Sequence, residues 1–443
     1  MGVTPGQAYP ETVPISVAMQ PTAWRDTFSA LRMHNYRLYV SAQFISNTAG
    51  WMQRIAVDWL VLEITGSIGL VGLTIALQFL PTLILGAHAG VLADRFSRRK
   101  VLLVCQSFVL TFNLVLAILA ITGAAQLWMV YSLVLGVGLA QVFDQPARSV
   151  FVNELVGPRH LKNAISVNAS IFHLGALLGP AISGVLIVVI GSGWAIGINV
   201  VAAGIGIVLL LAIRQRELLV TPRMPTAKGQ IREAARYVMS KPTLFWTLVV
   251  VFFIAVFGMP LPALLAGVAD HVYDTGAPGY GLYNSLVAVG ALTGALASAR
   301  RKTLRLRTIV LGAVLYGITL VLAGVAPFYG LFLVILVSSG LARLLVMTAG
   351  ETMMQFSSNM AIRGRVMSFW AMVIVGGQAI GGPLMGFIAE SIGSKNALVI
   401  AGGVPALAAI TVAIVLARSG KLKVVVTPRR GKWVAIVPRP KSR

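Results

Sequence analysis

Acidic residues are scarce in this sequence. Thirteen Asp and Glu stand against 36 Lys and Arg in 443 residues, and the four charged types together make up 11% of the chain. Soluble domains carry about 25%, and 57% of this chain is hydrophobic, so it lacks the polar side chains to cover a water-facing surface. A soluble globular protein is excluded. Cysteine occurs once, as Cys105 in an apolar run, which rules out an intramolecular disulfide and a cysteine-rich metal centre. Clusters of His, Cys and Asp with ligand spacing are missing. So are a phosphate-cradling glycine loop for ATP and a nucleophile–base pair that the sequence places together. No metal, no cofactor and no enzymatic reaction are therefore expected. Met1–Gln20 has no positive stretch followed by a compact apolar run, so no secretory signal is read there.

What the sequence does have is long apolar runs. Ile68–Ala89 and Val101–Ile121 each exceed the ~20 residues that a bilayer core requires of a helix. The same reading along the chain predicts twelve spans. The first covers Tyr36–Leu62 and ends in the turn Glu63-Ile-Thr-Gly-Ser67, whose Thr, Gly and Ser supply turn chemistry. The fourth runs from Trp128 to about Val142 and is closed by Asp144-Gln-Pro-Ala-Arg148; the fifth covers Ala164–Ile190. The seventh is expected from Thr243 to Val268 and the twelfth over Ala397–Leu416. All but three of the 36 Lys and Arg then fall on one side of the membrane, the exceptions being Lys395 in an outer loop and Arg54 and Arg343 within spans. Basic loops stay in the cytoplasm, so both termini are expected inside. The same asymmetry explains the net charge of +23 by topology, and nucleic acid is not an expected partner.

The expected organisation is a cytoplasmic segment over 1–35, a six-helix bundle over 36–213, a cytoplasmic linker over 214–242, a second bundle over 243–418 and a basic tail over 419–443. Within the linker, Ile231–Met239 reads as a short interfacial helix with Ile231, Ala235 and Val238 on its apolar face. In the tail, Val424–Val426 and Val434–Val437 read as a small hairpin. The two bundles look like repeats at an offset of 203 residues: Gly179-Pro180 matches Gly382-Pro383, Arg98 and Arg99 match Arg301 and Lys302, and Lys162 matches Arg365. Parallel repeats of this kind build many transporters.

Between the second and third spans lies Gly90-Val-Leu-Ala-Asp94-Arg95-Phe-Ser-Arg98-Arg-Lys100. Its spacing resembles the signature loop between helices 2 and 3 of the major facilitator superfamily, with Ser97 where that signature usually has a second glycine. The resemblance implies an all-α membrane protein of twelve transmembrane helices in two pseudo-symmetric six-helix bundles. It also implies that Asp94 meets the start of helix 11, where Arg365 stands, and that Arg98 pairs with an acid at the inner end of helix 4, where Asp144 stands. These contacts would latch the cytoplasmic side. Gly175-Ala-Leu-Leu-Gly179-Pro180-Ala-Ile-Ser-Gly184 resembles the helix-5 motif of drug–proton antiporters; helix packing around a proline kink is the alternative. With Trp59–Ser67 and Pro81, the signature loop resembles the branch that holds enterobactin exporters, macrolide efflux pumps and Tap-type drug pumps. That bacterial branch implies efflux of a small amphiphilic molecule across the cell membrane, coupled to proton entry; a monomer in the lipid bilayer is expected. A nutrient importer and a lipid or lysophospholipid flippase are the alternatives on the same fold.

Charges inside a span are costly and face a cavity or a partner. Arg54 and Asp58 lie four apart on the first span, hence on one face where they can pair. Either they form a structural ion pair or Asp58 carries the proton, taking it up when the pair loosens. Arg343 on the tenth span suits an anionic substrate or polar backbone equally. Asn113, His173, Asn284 and Gln378 are isolated polar groups at membrane depth, read either as interhelical hydrogen bonds or as substrate contacts.

Overall fold

A computed structural model describes residues 29–93, 96–219, 230–299, 306–358 and 362–418, together with two short strands in the tail. The helices are α1 (His34–Thr65), α2 (Ile68–Ala93), α3 (Arg98–Ile121), α4 (Leu127–Gly157), α5 (Arg159–Ile190), α6 (Ser192–Ala212) and α7 (Gln230–Ser240). The second half adds α8 (Pro242–His271), α9 (Gly276–Ala299), α10 (Leu306–Gly324), α11 (Tyr329–Phe356), α12 (Arg363–Ile392) and α13 (Ser394–Arg418). Among the described residues eleven helices, all but α1 and α7, are long and apolar enough to cross a membrane. At 32 residues α1 has the length, and its Arg54, Asp58 and carboxamides lower its apolarity. With it the spans number twelve.

Span 4 is longer than expected. The segment Asp144–Arg148 does not close α4; the helix runs on to Gly157, whose φ of +66° breaks it before α5. Asp144 and Arg148 bond to one another one turn apart, which removes the cost that would otherwise expel both charges from a helix interior. The seventh span also departs from a plain helix. At Ile254–Gly258 it widens into a π turn before Pro260, and the carbonyl of Gly258 accepts a 2.7 Å hydrogen bond from Tyr316 on α10. Irregular backbone at this depth persists because a neighbour satisfies it.

The linker helix forms as α7, with Val238 of its apolar face turned to protein. Val238 is buried against Leu244, Ile362 and Val366 at the basic end of the second half. The tail hairpin forms as β1 (Leu422–Val425) and β2 (Ala435–Pro438), antiparallel with Lys423 opposite Val437.

Within the first half α1 packs on α4, α5 and α6, and α3 on α6; within the second, α10 packs on α13 and α11 on α9. The halves meet along α2–α12 and α5–α9. A shift of 203 residues carries α5 onto α12 and α2 onto α9, so the two crossings are equivalent under the pseudo-twofold relation. On α2–α12, a Cβ on Gly72 would meet the carbonyl of Gly382, and one on Gly382 would meet that of Gly72. Small residues let membrane helices approach closely where apolar burial supplies little drive. The contacts between halves concentrate towards the end that carries the turns at 66–67, 272–275 and 393, opposite the basic segments.

Candidate functional site

Opposite that closed end, the first half encloses a cavity of about 450 Å³ lined only by residues of α1 to α6. Along α1 its wall extends from Tyr39 to Val57, about 27 Å at 1.5 Å per residue. Carboxamides are the commonest polar groups of the lining, among them Gln43, Gln53, Gln78, Gln141 and Gln145, with Trp51 and Phe172 as aromatic faces. Each carboxamide offers both donors and an acceptor, so the wall suits hydroxyl- and carbonyl-bearing molecules, and the rings suit an apolar body.

Two networks fix the shape of the wall. Near the basic end, Arg148 donates to both carboxylate oxygens of Asp144, at 3.1 Å for the Nη2–Oδ1 bond, and to Oε1 of Gln43 on α1. Gln106 of α3 also donates to Asp144, at 3.3 Å. Higher up, Asn113 donates to Gln53 at 3.1 Å and to Asn199 at 3.0 Å, joining α3 to α1 and α6. Asn113 is thus an interhelical bridge, one residue behind the cavity surface.

Arg54 and Asp58 share a face but form no ion pair. The Arg54 guanidinium faces the cavity, 4.9 Å from the Trp51 ring centre and 5.7 Å from that of Phe79. Asp58 is buried, with only 3% of its surface exposed. Its Oδ2 accepts a 3.0 Å hydrogen bond from the hydroxyl of Tyr280 on α9, in the other half. Its Oδ1 has no partner. Trp59 stacks on the Tyr280 ring at 6.1 Å. A second carboxylate crosses the interface in the opposite sense: Glu390 of α12 accepts from Ser67 Oγ at 2.7 Å and from the Gly69 N–H at 3.0 Å, capping α2.

The signature loop is described in part. Asp94 and Arg95 lie outside the described residues, and Gly90 falls in the last turns of α2. Arg98 is 3.6 Å from Glu154, not paired with Asp144, because α4 continues three turns past Asp144 and brings Glu154 to the level of the loop. Arg365 pairs with Glu233 of α7. The glycine-proline segment of α5 works on two sides. Gly175 and Gly179 lie against Asn47 and Trp51 of α1, while Pro180 and Gly184 lie against Gly281 of α9. Ser183 donates to the Met52 carbonyl at 2.9 Å.

The remaining candidates stand apart from the cavity lining. His173 lies edge-on to Phe172 at 5.7 Å, and Asn284 donates to the Tyr280 carbonyl in its own helix at 2.9 Å. Arg343 and Gln378 are half-buried on α11 and α12, with no hydrogen-bond partner among the described residues. Sequence reasoning missed Tyr280, Glu390, Glu154 and Gln43. Contacts such as Asp58–Tyr280, 222 positions apart, leave no trace in local spacing. The Asp144–Arg148 pair did have a signal, its four-residue separation, which read as a turn. Among the described residues no cluster of three His, Cys, Asp or Glu is placed to hold a metal.

Comparison with known proteins agrees with this architecture. Enterobactin exporter EntS of Shigella flexneri is 28% identical over 374 residues, covering 83% of this chain and 88% of that one. EntS of Escherichia coli O1:K1 / APEC is 27% identical over 373 residues with the same coverages. Among solved structures, an inward-facing, unoccupied bacterial homologue of the human lysosomal transporter Spinster superposes with a TM-score of 0.63 at 17% identity, over 86% of this chain and 95% of that one. The nucleoside transporter NupG gives 0.66 at 12% identity, over 87% and 99%. These two likenesses show the fold. The family described as Transmembrane secretion effector matches residues 25–428. Twelve spans in two related halves, a cavity within them and a family match across nearly the whole chain make this a membrane transporter, not an enzyme: the chain belongs to the transmembrane secretion effectors of the major facilitator superfamily.

Proposed function

We propose that this chain is a secondary active exporter that carries a small amphiphilic molecule, such as a drug or siderophore, out of a bacterial cell in exchange for protons. It works as a monomer in the inner membrane with both termini and the 214–242 linker in the cytoplasm. Substrate enters the first-half cavity from the basic side. Rocking of the halves about α2–α12 and α5–α9 then opens the opposite end.

The observation that carries the proton coupling is the bond between Asp58 and Tyr280. A buried carboxyl of one half is held by a hydroxyl of the other at the closed end, so opening must break that bond. The released carboxyl then meets water on the outer side and exchanges protons with the outer solution. Closure returns it above the cavity that begins at Arg54, one turn away, through which the proton leaves inward. Breaking a contact between halves and changing the proton state of Asp58 are thereby the same event. The latch at the basic end rests on Arg98, Glu154 and Arg365, with Asp94 of the signature loop. Enterobactin, named for the relatives, heads the substrate panel.

The test is export from proteoliposomes under an imposed pH gradient. Asp58→Asn should abolish the gradient's effect while leaving substrate binding measurable. Gradient-driven export at the wild-type rate in Asp58→Asn would refute the coupling. Substrate accumulation inside cells, abolished by an uncoupler, would overturn the direction.

A further inference from the structure

On the outer face of the first half, away from the cavity, a notch of about 590 Å³ separates α3 from α4. One wall is a stripe of α3, Lys100, Val104 and Phe108, each one turn from the next, continued by Phe112. The floor is Gly136 and Ala140 of α4. A small-x-x-x-small pair normally draws two backbones together, but here the Phe112 ring fills the space beside Gly136, where a Cβ would lie 2.8 Å from it. The helices consequently stay apart and the notch stays open. Phe108 stacks on Phe112 at 6.0 Å and stiffens the wall. Val104 and Phe108 are both more than half exposed.

Among the described residues, the only charged side chain lining the notch is Lys100, in the first turn of α3 at the basic end. Arg99 beside it is engaged, donating to the carbonyls of Leu210 and Leu211 on α6 at 2.9 and 2.7 Å. From Lys100 to Phe112 the helix rises about 18 Å, slightly more than the ~15 Å depth of one leaflet of hydrocarbon. A cation at the headgroup level above an apolar slot one leaflet deep is complementary to a lipid with a negative head and an extended tail. Basic pockets between spans on the cytoplasmic side favour such heads.

We propose that the α3–α4 notch is a binding site for one anionic phospholipid, whose acyl chain lies between Phe108, Phe112 and Ala140 and whose phosphate rests on Lys100. The site is independent of the transport cavity, which takes its lining from the inner faces of the same bundle.

Native mass spectrometry of the full chain, released from micelles holding equal phosphatidylglycerol and phosphatidylcholine, tests it. Wild type should retain one phosphatidylglycerol in preference to phosphatidylcholine. Lys100→Gln should cut that preference about fivefold, the effect of one basic residue at a membrane surface, and Lys100→Arg should restore it. Val104→Trp, at a lipid-facing position that tolerates a large ring, should fill the slot and remove the bound lipid whatever its head. Equal retention of both lipids by wild type would overturn the proposal. So would an undiminished adduct in Val104→Trp or an unchanged preference in Lys100→Gln. A wild-type dimer that Val104→Trp dissociates would overturn it too, since the notch would then hold a second copy.

Discussion

Removing one oxygen, by Tyr280→Phe, should open the closed end. The phenyl ring keeps its stacking on Trp59, so the perturbation is confined to the hydroxyl that donates 3.0 Å to Asp58. Because Oδ1 already has no partner, the variant leaves the whole buried carboxyl without a hydrogen bond. A bond to a charged group contributes about 2 kcal/mol, and every 1.4 kcal/mol is tenfold, so the closed-to-open ratio should fall about 30-fold. Asp58→Asn keeps an acceptor but makes it neutral, a bond of about 1 kcal/mol, and should move the same ratio only about fivefold. Spin labels on cysteines at Ala124 and Val325, both exposed in turns at the closed end, read the separation of the halves by pulsed electron resonance, with Cys105 replaced by serine. The long-distance population should rise in the order wild type, Asp58→Asn, Tyr280→Phe. Identical distance distributions in all three would refute the argument, because the bond would then contribute nothing to closure.

Three further outcomes are expected. Glu390→Gln weakens the charge-assisted cap on α2 by about 1 kcal/mol and should shift the same distance distribution about fivefold towards open, without changing substrate binding from the basic side. Gly72→Val places methyl groups against the Gly382 carbonyl, and labelling of cysteines along α12 near Gly382 should rise from protected to reactive while expression persists. Arg148→Ala leaves Asp144 with Gln106 as its remaining hydrogen-bond partner and should cost about 3 kcal/mol, the low end of the penalty for a buried charge that loses its counter-ion. A thermal scan in detergent should show a lower unfolding temperature, largely recovered when Asp144→Asn is added.

Much of this fold was legible in the chain because a bilayer simplifies the reading. Long apolar runs mark spans, cations mark one side, and the central basic segment separates two related halves. The fourth span was misjudged because Asp144, Pro146 and Arg148 carry turn chemistry when taken singly. Inside the bundle, the two charges neutralise each other and Gln43 completes the set, so the helix continues. Arg54 and Asp58 were placed on the correct face, yet each found another partner: an aromatic pair for the guanidinium, a hydroxyl from the other half for the carboxyl. Hydropathy carries no information on how a helix is rotated about its axis. For the same reason the polar residues of α11 and α12 looked as eligible for the cavity as those of α1.

The cavity belongs to one half alone, with every wall residue between Tyr39 and Ala203. On the mechanism proposed above, cargo seated there would travel as a passenger of the first bundle, while the second would act as a shutter that swings past it. Choice of cargo and pace of delivery would then be written into different stretches of polypeptide, and a hybrid that borrows only the second stretch from a relative would change its tempo while keeping its taste.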